Sequence, residues 1–239
     1  MKKIFWIIAL ATTVFSACKQ DEESVPLEFG YDYYPDVLGT YVIYNVDSTK
    51  YDDFFRPVLV TKRSLQVKER LQSTFLDNKD RESVRVERFE RNTADDEWEL
   101  TRIYYFTKTT RAVERVEENL RFIKFVFPPI LNQTWDGNKY IETTDINKYL
   151  TDWTYKITAS NSAITLGTNV FPETVSITLR DKETLIEKVL AKEIYAKGVG
   201  MIYREWWNLE AQSNFDLPWE QRAERGTIVK MQAIEYGVE

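Results

Sequence analysis

Thr174-Val175-Ser176-Ile177-Thr178-Leu179-Arg180 alternates polar and apolar residues without a break. A period of two places Val175, Ile177 and Leu179 on one side of an extended chain, the signature of a strand with one buried face. The next stretch, Glu183 to Ala196, is helical by propensity, being rich in Leu, Glu, Lys and Ala. Its apolar residues nevertheless favour one parity, Leu185, Val189, Ala191 and Tyr195, while the set Ile186, Leu190 and Ile194 is diluted by lysines. A second strand is the better reading. Gly198-Val199-Gly200 breaks the run, and Met201 to Leu209 follows with Met201, Tyr203, Trp207 and Leu209 facing one way and Arg204, Trp206 and Asn208 the other. Successive strands joined by short turns build an antiparallel meander.

The same pattern extends outward. Tyr41 to Val46 forms a strand, opened by Leu38-Gly39-Thr40 and ended by Asp47-Ser48. Pro57 to Phe75 makes one long bent strand or two shorter ones, and Asp77-Asn78-Lys79-Asp80 is a turn. Arg81 to Arg91 and Glu97 to Thr107 pair as a hairpin, and Arg111 to Phe127 continues until Pro128-Pro129 stops it. Trp135-Asp136-Gly137-Asn138 predicts a hairpin turn, because Asp-Gly takes positive φ readily. Tyr149 to Ile157 alternates again, and Thr227 to Tyr236 supplies a last strand. Asp216 to Glu224 reads as a helix start with Asp216 as cap and Pro218 near the first turn. The chain is thus predicted to be mainly β, with about ten strands and a short helix near the C-terminus. We expect the antiparallel meander to form a strongly curved sheet or partly closed barrel around an aromatic core.

The N-terminus carries a different signal. Lys2-Lys3 is followed by the apolar run Ile4 to Ala17, which as a helix spans roughly 21 Å, short of a hydrocarbon core of about 30 Å. Residues 1–17 therefore read as a secretion signal. Phe15-Ser16-Ala17-Cys18 resembles the bacterial lipobox, with Phe15 where Leu is usual. It implies that Cys18, the sole cysteine, receives a diacylglycerol and acyl chain such as palmitate and becomes the mature N-terminus. Lys19-Gln20-Asp21-Glu22-Glu23 resembles the surface-export signal of Bacteroidota lipoproteins. Residues 18–30 form an acidic flexible tether, and 31–239 a single β-rich domain. The implied address is the outer membrane of the cell envelope, on the periplasmic or the outward face, with the cell surface favoured.

Composition excludes much chemistry. Histidine is absent from the 239 residues, which removes Ser-His-Asp and Cys-His nucleophile systems, HExxH zinc sites and imidazole bases. Without Lys2 and Lys3 the formal net charge moves from −6 to −8, and no basic cluster exists to meet nucleic-acid phosphates. No catalytic residue, metal site or cofactor is expected. The partner is the membrane, through the lipid on Cys18, and beyond it a glycan, lipid or envelope protein.

Three stretches together carry a wider resemblance. They are Tyr33-Tyr34-Pro35 leading to Gly39-Thr40-Tyr41-Val42-Ile43-Tyr44-Asn45-Val46-Asp47-Ser48, then Phe127-Pro128 with Trp135-Asp136-Gly137-Asn138, and Tyr195-Ala196-Lys197-Gly198-Val199-Gly200-Met201-Ile202-Tyr203-Arg204-Glu205. They resemble a family of uncharacterised Bacteroidota lipoproteins of unknown function. The resemblance implies an envelope address and a β fold and transfers no site residues.

Trp206-Trp207, flanked by Glu205, is the densest aromatic pair, and Trp219 follows in a loop positioned to cover Trp206. Neighbours on a strand point to opposite faces, so one indole packs inside. An exposed indole beside a carboxylate stacks on a sugar ring; packing explains the same residues. Asp95-Asp96-Glu97, Glu117-Glu118 and Glu205 are carboxylates whose linear spacing establishes no glycosidase pair, and Asp95-Asp96 reads as a solvated hairpin tip. Asp47-Ser48-Thr49 fits an O-glycosylation acceptor at Ser48 and equally a plain turn. The leading expectation is a membrane-anchored, non-enzymatic lipoprotein that binds a ligand or serves envelope assembly. The first alternative is a carrier of a lipid or apolar ligand within the curved sheet. The second is a glycan-binding or glycan-active surface protein.

Overall fold

The computed structural model describes residues 28–239; the signal peptide, Cys18 and the Lys19–Glu23 export signal lie outside the described residues. The strands are β1 (Thr40–Asp52), β2 (Leu59–Leu76), β3 (Glu82–Arg91), β4 (Glu99–Lys108), β5 (Ala112–Glu117), β6 (Leu120–Val126), β7 (Thr134–Trp135), β8 (Tyr155–Leu166), β9 (Asn169–Glu183), β10 (Glu187–Ala196), β11 (Gly200–Glu210) and β12 (Arg225–Val238). One-turn helix α1 (Trp219–Arg222) precedes β12. Its cap position is Pro218 and not Asp216, and no side chain caps it.

All twelve strands join one sheet in the order β6-β5-β4-β3-β2-β1-β12-β11-β10-β9-β8-β7. Every pairing is antiparallel. The meander expectation is met, whereas the strongly curved sheet or partly closed barrel is not: the sheet is open, with no ladder between its edge strands β6 and β7. The reason is local. Closure needs a ladder between edge strands β6 and β7, but Pro128 and Pro129 after β6 lack donors and β7 is two residues long. A single backbone hydrogen bond, Ile123 N–H to Gly137 O at 2.8 Å, spans the two edges. The Trp135 indole N–H adds one to Ile123 O, also at 2.8 Å.

The seam of the sheet joins β1 to β12 from Thr40↔Val238 to Tyr51↔Gly226. Asp47-Ser48 does not end β1: the strand runs on to Asp52, paired on both sides. Ser48 thus sits mid-strand, half-buried, its hydroxyl on Arg63 O at 3.3 Å. Tyr149 to Thr154, read as strand, instead lies in a 3-10 turn (Asp145–Leu150) and the loop after it, and β8 starts at Tyr155. Glu183 to Ala196 is extended as expected, with a turn before β10.

Three apolar clusters form. The largest gathers Val84, Val86, Tyr104, Phe106, Val113 and Phe125 from β3–β6 with Tyr155, Ile157, Val175, Ile177, Leu179 and Tyr195 from β8–β10, so the two wings of the open sheet face each other across it. Tyr33 and Tyr34 wedge between them; Tyr34 meets Phe106 edge-on at 5.0 Å and Tyr195 at 5.7 Å. The second cluster lines the seam with Val42, Tyr44, Ile202 and Met231, and the third packs Trp207 and Leu209 with Trp219 of α1.

Where the chain enters β12, Gly226 has φ +120, and a Cβ there would stand 1.9 Å from Asn208 O. Gly226→Ala is expected to cost about 3 kcal/mol or more, since strain and a backbone clash add. Urea denaturation of the full chain in detergent checks it; a change under about 1 kcal/mol would refute the assigned register.

Candidate functional site

The aromatic residues singled out in the sequence divide between two faces of β11. Trp207 is buried in the third cluster and donates its indole N–H to Glu205 Oε1 at 2.8 Å. Trp219 packs in the same cluster, donating to Glu183 Oε1 at 2.8 Å, with the Arg222 guanidinium 3.9 Å from its ring centroid. Glu205, Trp207 and Trp219 are therefore engaged with one another's surroundings and not with an opening. Trp206 points the other way. Trp153, not Trp219, covers one side of it, with ring centres 5.2 Å apart and planes tilted by 33°.

Trp206 lines a cleft of about 220 Å³. One wall is β6, through Leu120 and Phe122; another is the excursion between β7 and β8, through Tyr149, Leu150 and Trp153. Polar contacts hold the excursion together and tie it to β8. Asn138 Nδ2 donates to Leu150 O at 2.9 Å, Tyr155 OH donates to Asn138 Oδ1 at 3.2 Å, and Trp153 Nε1 donates to Tyr149 O at 2.8 Å. Gly137 makes the fit, because a Cβ there would lie 2.3 Å from the Tyr155 ring. Close approach and not a positive φ is what Asp136-Gly137 provides.

The floor is charged. Lys124 of β6 is buried and its Nζ lies 2.8 Å from Glu193 Oε1 of β10. Glu193 faces Arg204 across the β10–β11 ladder, with Nε to Oε1 at 3.3 Å, and its Oε2 accepts the Tyr195 hydroxyl at 2.8 Å. Behind it, Arg115 holds Glu117 at 2.6 Å and Glu69 at 3.1 Å. Burial pushes the Glu117 carboxyl up, but Arg115, Arg204 and Lys124 overcome it and hold it at about 2. Burial likewise opposes ionisation of Glu193, and Lys124 and Arg204 win, so it too titrates below the ordinary carboxylate range. Burial dominates at Lys124 and lowers its ammonium despite Glu193. Burial also pushes the Tyr195 and Tyr155 hydroxyls up, Glu193 adding to both.

Such a floor does fixed-charge chemistry. A glycosidase acid needs a raised carboxyl, whereas Glu117 and Glu193 are both lowered. The Arg204 side chain is about one quarter exposed, and beyond its Nε contact neither Nη hydrogen-bonds a described residue. Among the described residues Glu117 Oε2 also accepts nothing. Both residues line the cleft.

The sequence reading missed Lys124 and Glu193 and named Glu117 only among carboxylates whose spacing decides nothing. A signal existed. Lys124 interrupts Phe122 and Val126 on one parity of an otherwise apolar strand, and Glu193 shares the parity of Ala191 and Tyr195. No family model matches the chain, and no curated protein matches it.

Lys124→Met should leave Glu193 without its closest cation and cost roughly 3–5 kcal/mol, while Lys124→Met/Glu193→Gln recovers most of the loss. Equal losses in the single and double variants, measured by urea unfolding, would contradict the coupling. For pH, the sign follows from the lowered carboxyls: the unfolded chain binds more protons, so stability rises with pH. It is fully present above the unfolded value near 4.5 and lost as pH falls toward about 2. The urea midpoint should therefore drop between about pH 5 and about pH 2, less steeply in Glu117→Gln than in the parent.

Proposed function

We propose that the protein is a membrane-anchored, non-catalytic binding module, held by a lipid on Cys18 and presenting the Trp206 cleft to a ligand. The observation that carries the binding part is the aromatic-walled cleft of about 220 Å³ with Arg204 and Glu117 among its lining. Ligand sites are concave, largely apolar openings with a few polar groups, and this cleft has that make-up. The lowered carboxyls support binding over acid–base catalysis.

The carrier reading finds less support. Phe125 contacts Phe127 at 5.2 Å and Tyr195 at 5.1 Å, so the aromatic interior is occupied by its own rings. The space among Tyr34, Phe106, Arg115 and Val199 is about 60 Å³, room for a few waters and not for an acyl chain. The anchor rests on Phe15-Ser16-Ala17-Cys18. Outer-membrane residence and outward display rest on that tetrad with Lys19–Glu23.

Cys18→Ala is expected to abolish incorporation of labelled palmitate and release the chain from the membrane fraction; a variant still labelled and retained refutes the anchor. For the cleft, Tyr149 is 56% exposed, so Tyr149→Ala should leave the fold intact. It should weaken uptake of envelope-extract components by about tenfold, a loss of roughly 1.4 kcal/mol. Unchanged uptake would remove the cleft from the function.

A further inference from the structure

We propose that the cleft takes a neutral sugar ring, stacked on the open face of Trp206 with its hydroxyls on Arg204 and Glu117. This rests on the reading of the cleft as a binding site and adds the chemical class of the ligand.

Charge excludes ions first. Every charged group around the cleft already has an opposite partner: Lys124 with Glu193 at 2.8 Å, Arg204 with Glu193 at 3.3 Å, Arg115 with Glu117 at 2.6 Å and Arg102 with Glu118 at 2.7 Å. An anion would have to draw a cation away from a carboxylate in a partly desolvated site, and a cation would face the same cost in reverse. A neutral ligand leaves all four pairs in place.

The polar groups then define what kind of neutral ligand. Arg204 offers N–H donors and Glu117 an acceptor oxygen at the same floor. A hydroxyl both donates and accepts, so adjacent hydroxyls of a sugar satisfy this mixed pair, whereas a purely apolar ligand leaves both unmet.

The aromatic geometry rules out a base sandwiched between two rings. A base sandwiched between two rings needs about 7 Å between them, twice a carbon contact distance. Trp153 and Trp206 stand 5.2 Å apart and pack on each other, so nothing enters between them. One indole face is left, matching the one apolar C–H face of a pyranose. Size agrees: about 220 Å³ is under the roughly 300 Å³ at which drug-sized sites begin. It holds a single ring, with the remainder of any chain passing Tyr149 at the rim.

The experiment uses the full chain in detergent, probed with neutral oligosaccharides, uronate-bearing oligosaccharides and nucleosides, followed by calorimetry and tryptophan fluorescence. Neutral oligosaccharides should bind saturably. Trp206→Ala, Tyr149→Ala and Arg204→Lys should each weaken that binding at least tenfold, and Trp206→Phe, which keeps a stacking ring and the packing, much less. Tighter binding of uronates or nucleosides overturns the inference, as does neutral-sugar binding indifferent to Tyr149→Ala. The two readings fail separately. A Tyr149-sensitive signal from envelope extract that neutral sugars do not compete away sinks the sugar and keeps the cleft. No Tyr149-sensitive signal from any probe or extract sinks both.

Discussion

Glu193 is 1% exposed and lies between Lys124 and Arg204 in the space where the two wings of the sheet meet. Three strands therefore converge on one carboxylate: β10 carries it, β11 holds Arg204 opposite it, and β6 reaches it from the far wing through Lys124. Apolar packing alone tolerates sliding of one wing over the other, because dispersion is not directional. An ion pair in low dielectric does not, since every displacement leaves a charge unsolvated. The network thus fixes the relative placement of β6 and β11, and with it the distance between the two walls of the cleft.

This explains what the sequence could and could not reveal. Thr174 to Arg180 announces its strand because burial imposes a period of two, and Val175, Ile177 and Leu179 are buried as that period requires. Short turns make consecutive strands neighbours, whereas the central β1–β12 pairing joins the two ends of the domain and has no local signal. Closure did not follow, because it depends on whether β6 and β7 can pair, and a two-residue β7 is a tertiary outcome of Asp136–Thr154 folding onto Tyr155. Tyr149 and Trp153 alternate with Thr151 in the sequence as a strand would, yet a 3-10 turn and loop present both to Trp206. Alternation over so short a run does not separate a strand from a turn that buries Trp153 and leaves Tyr149 at the rim.

The candidate site shows the same division. Trp206 was visible as an aromatic on the less apolar parity of β11, while its partner was misassigned to Trp219 because sequence proximity favours it. The actual neighbour comes from a segment some fifty residues earlier, brought there by the β8–β11 meander. Charges that balance across β2, β5, β6, β10 and β11 are invisible one strand at a time. Each looks like a solvated residue until register places it opposite its counter-ion.

β6 and β7 are consecutive in the chain yet occupy opposite edges of the sheet, while β1 and β12 are furthest apart in sequence and pair at its centre. Each wing is a run of local hairpins able to form early, but the seam closes a loop of nearly the whole domain and carries the largest entropic cost. In a chain threaded outward from its N-terminus, β1 must wait with one ladder edge bare until β12 arrives, an exposed template for mispairing. Removing the residues after Glu224 would consequently take away not a dispensable edge but the zip that unites two half-sheets.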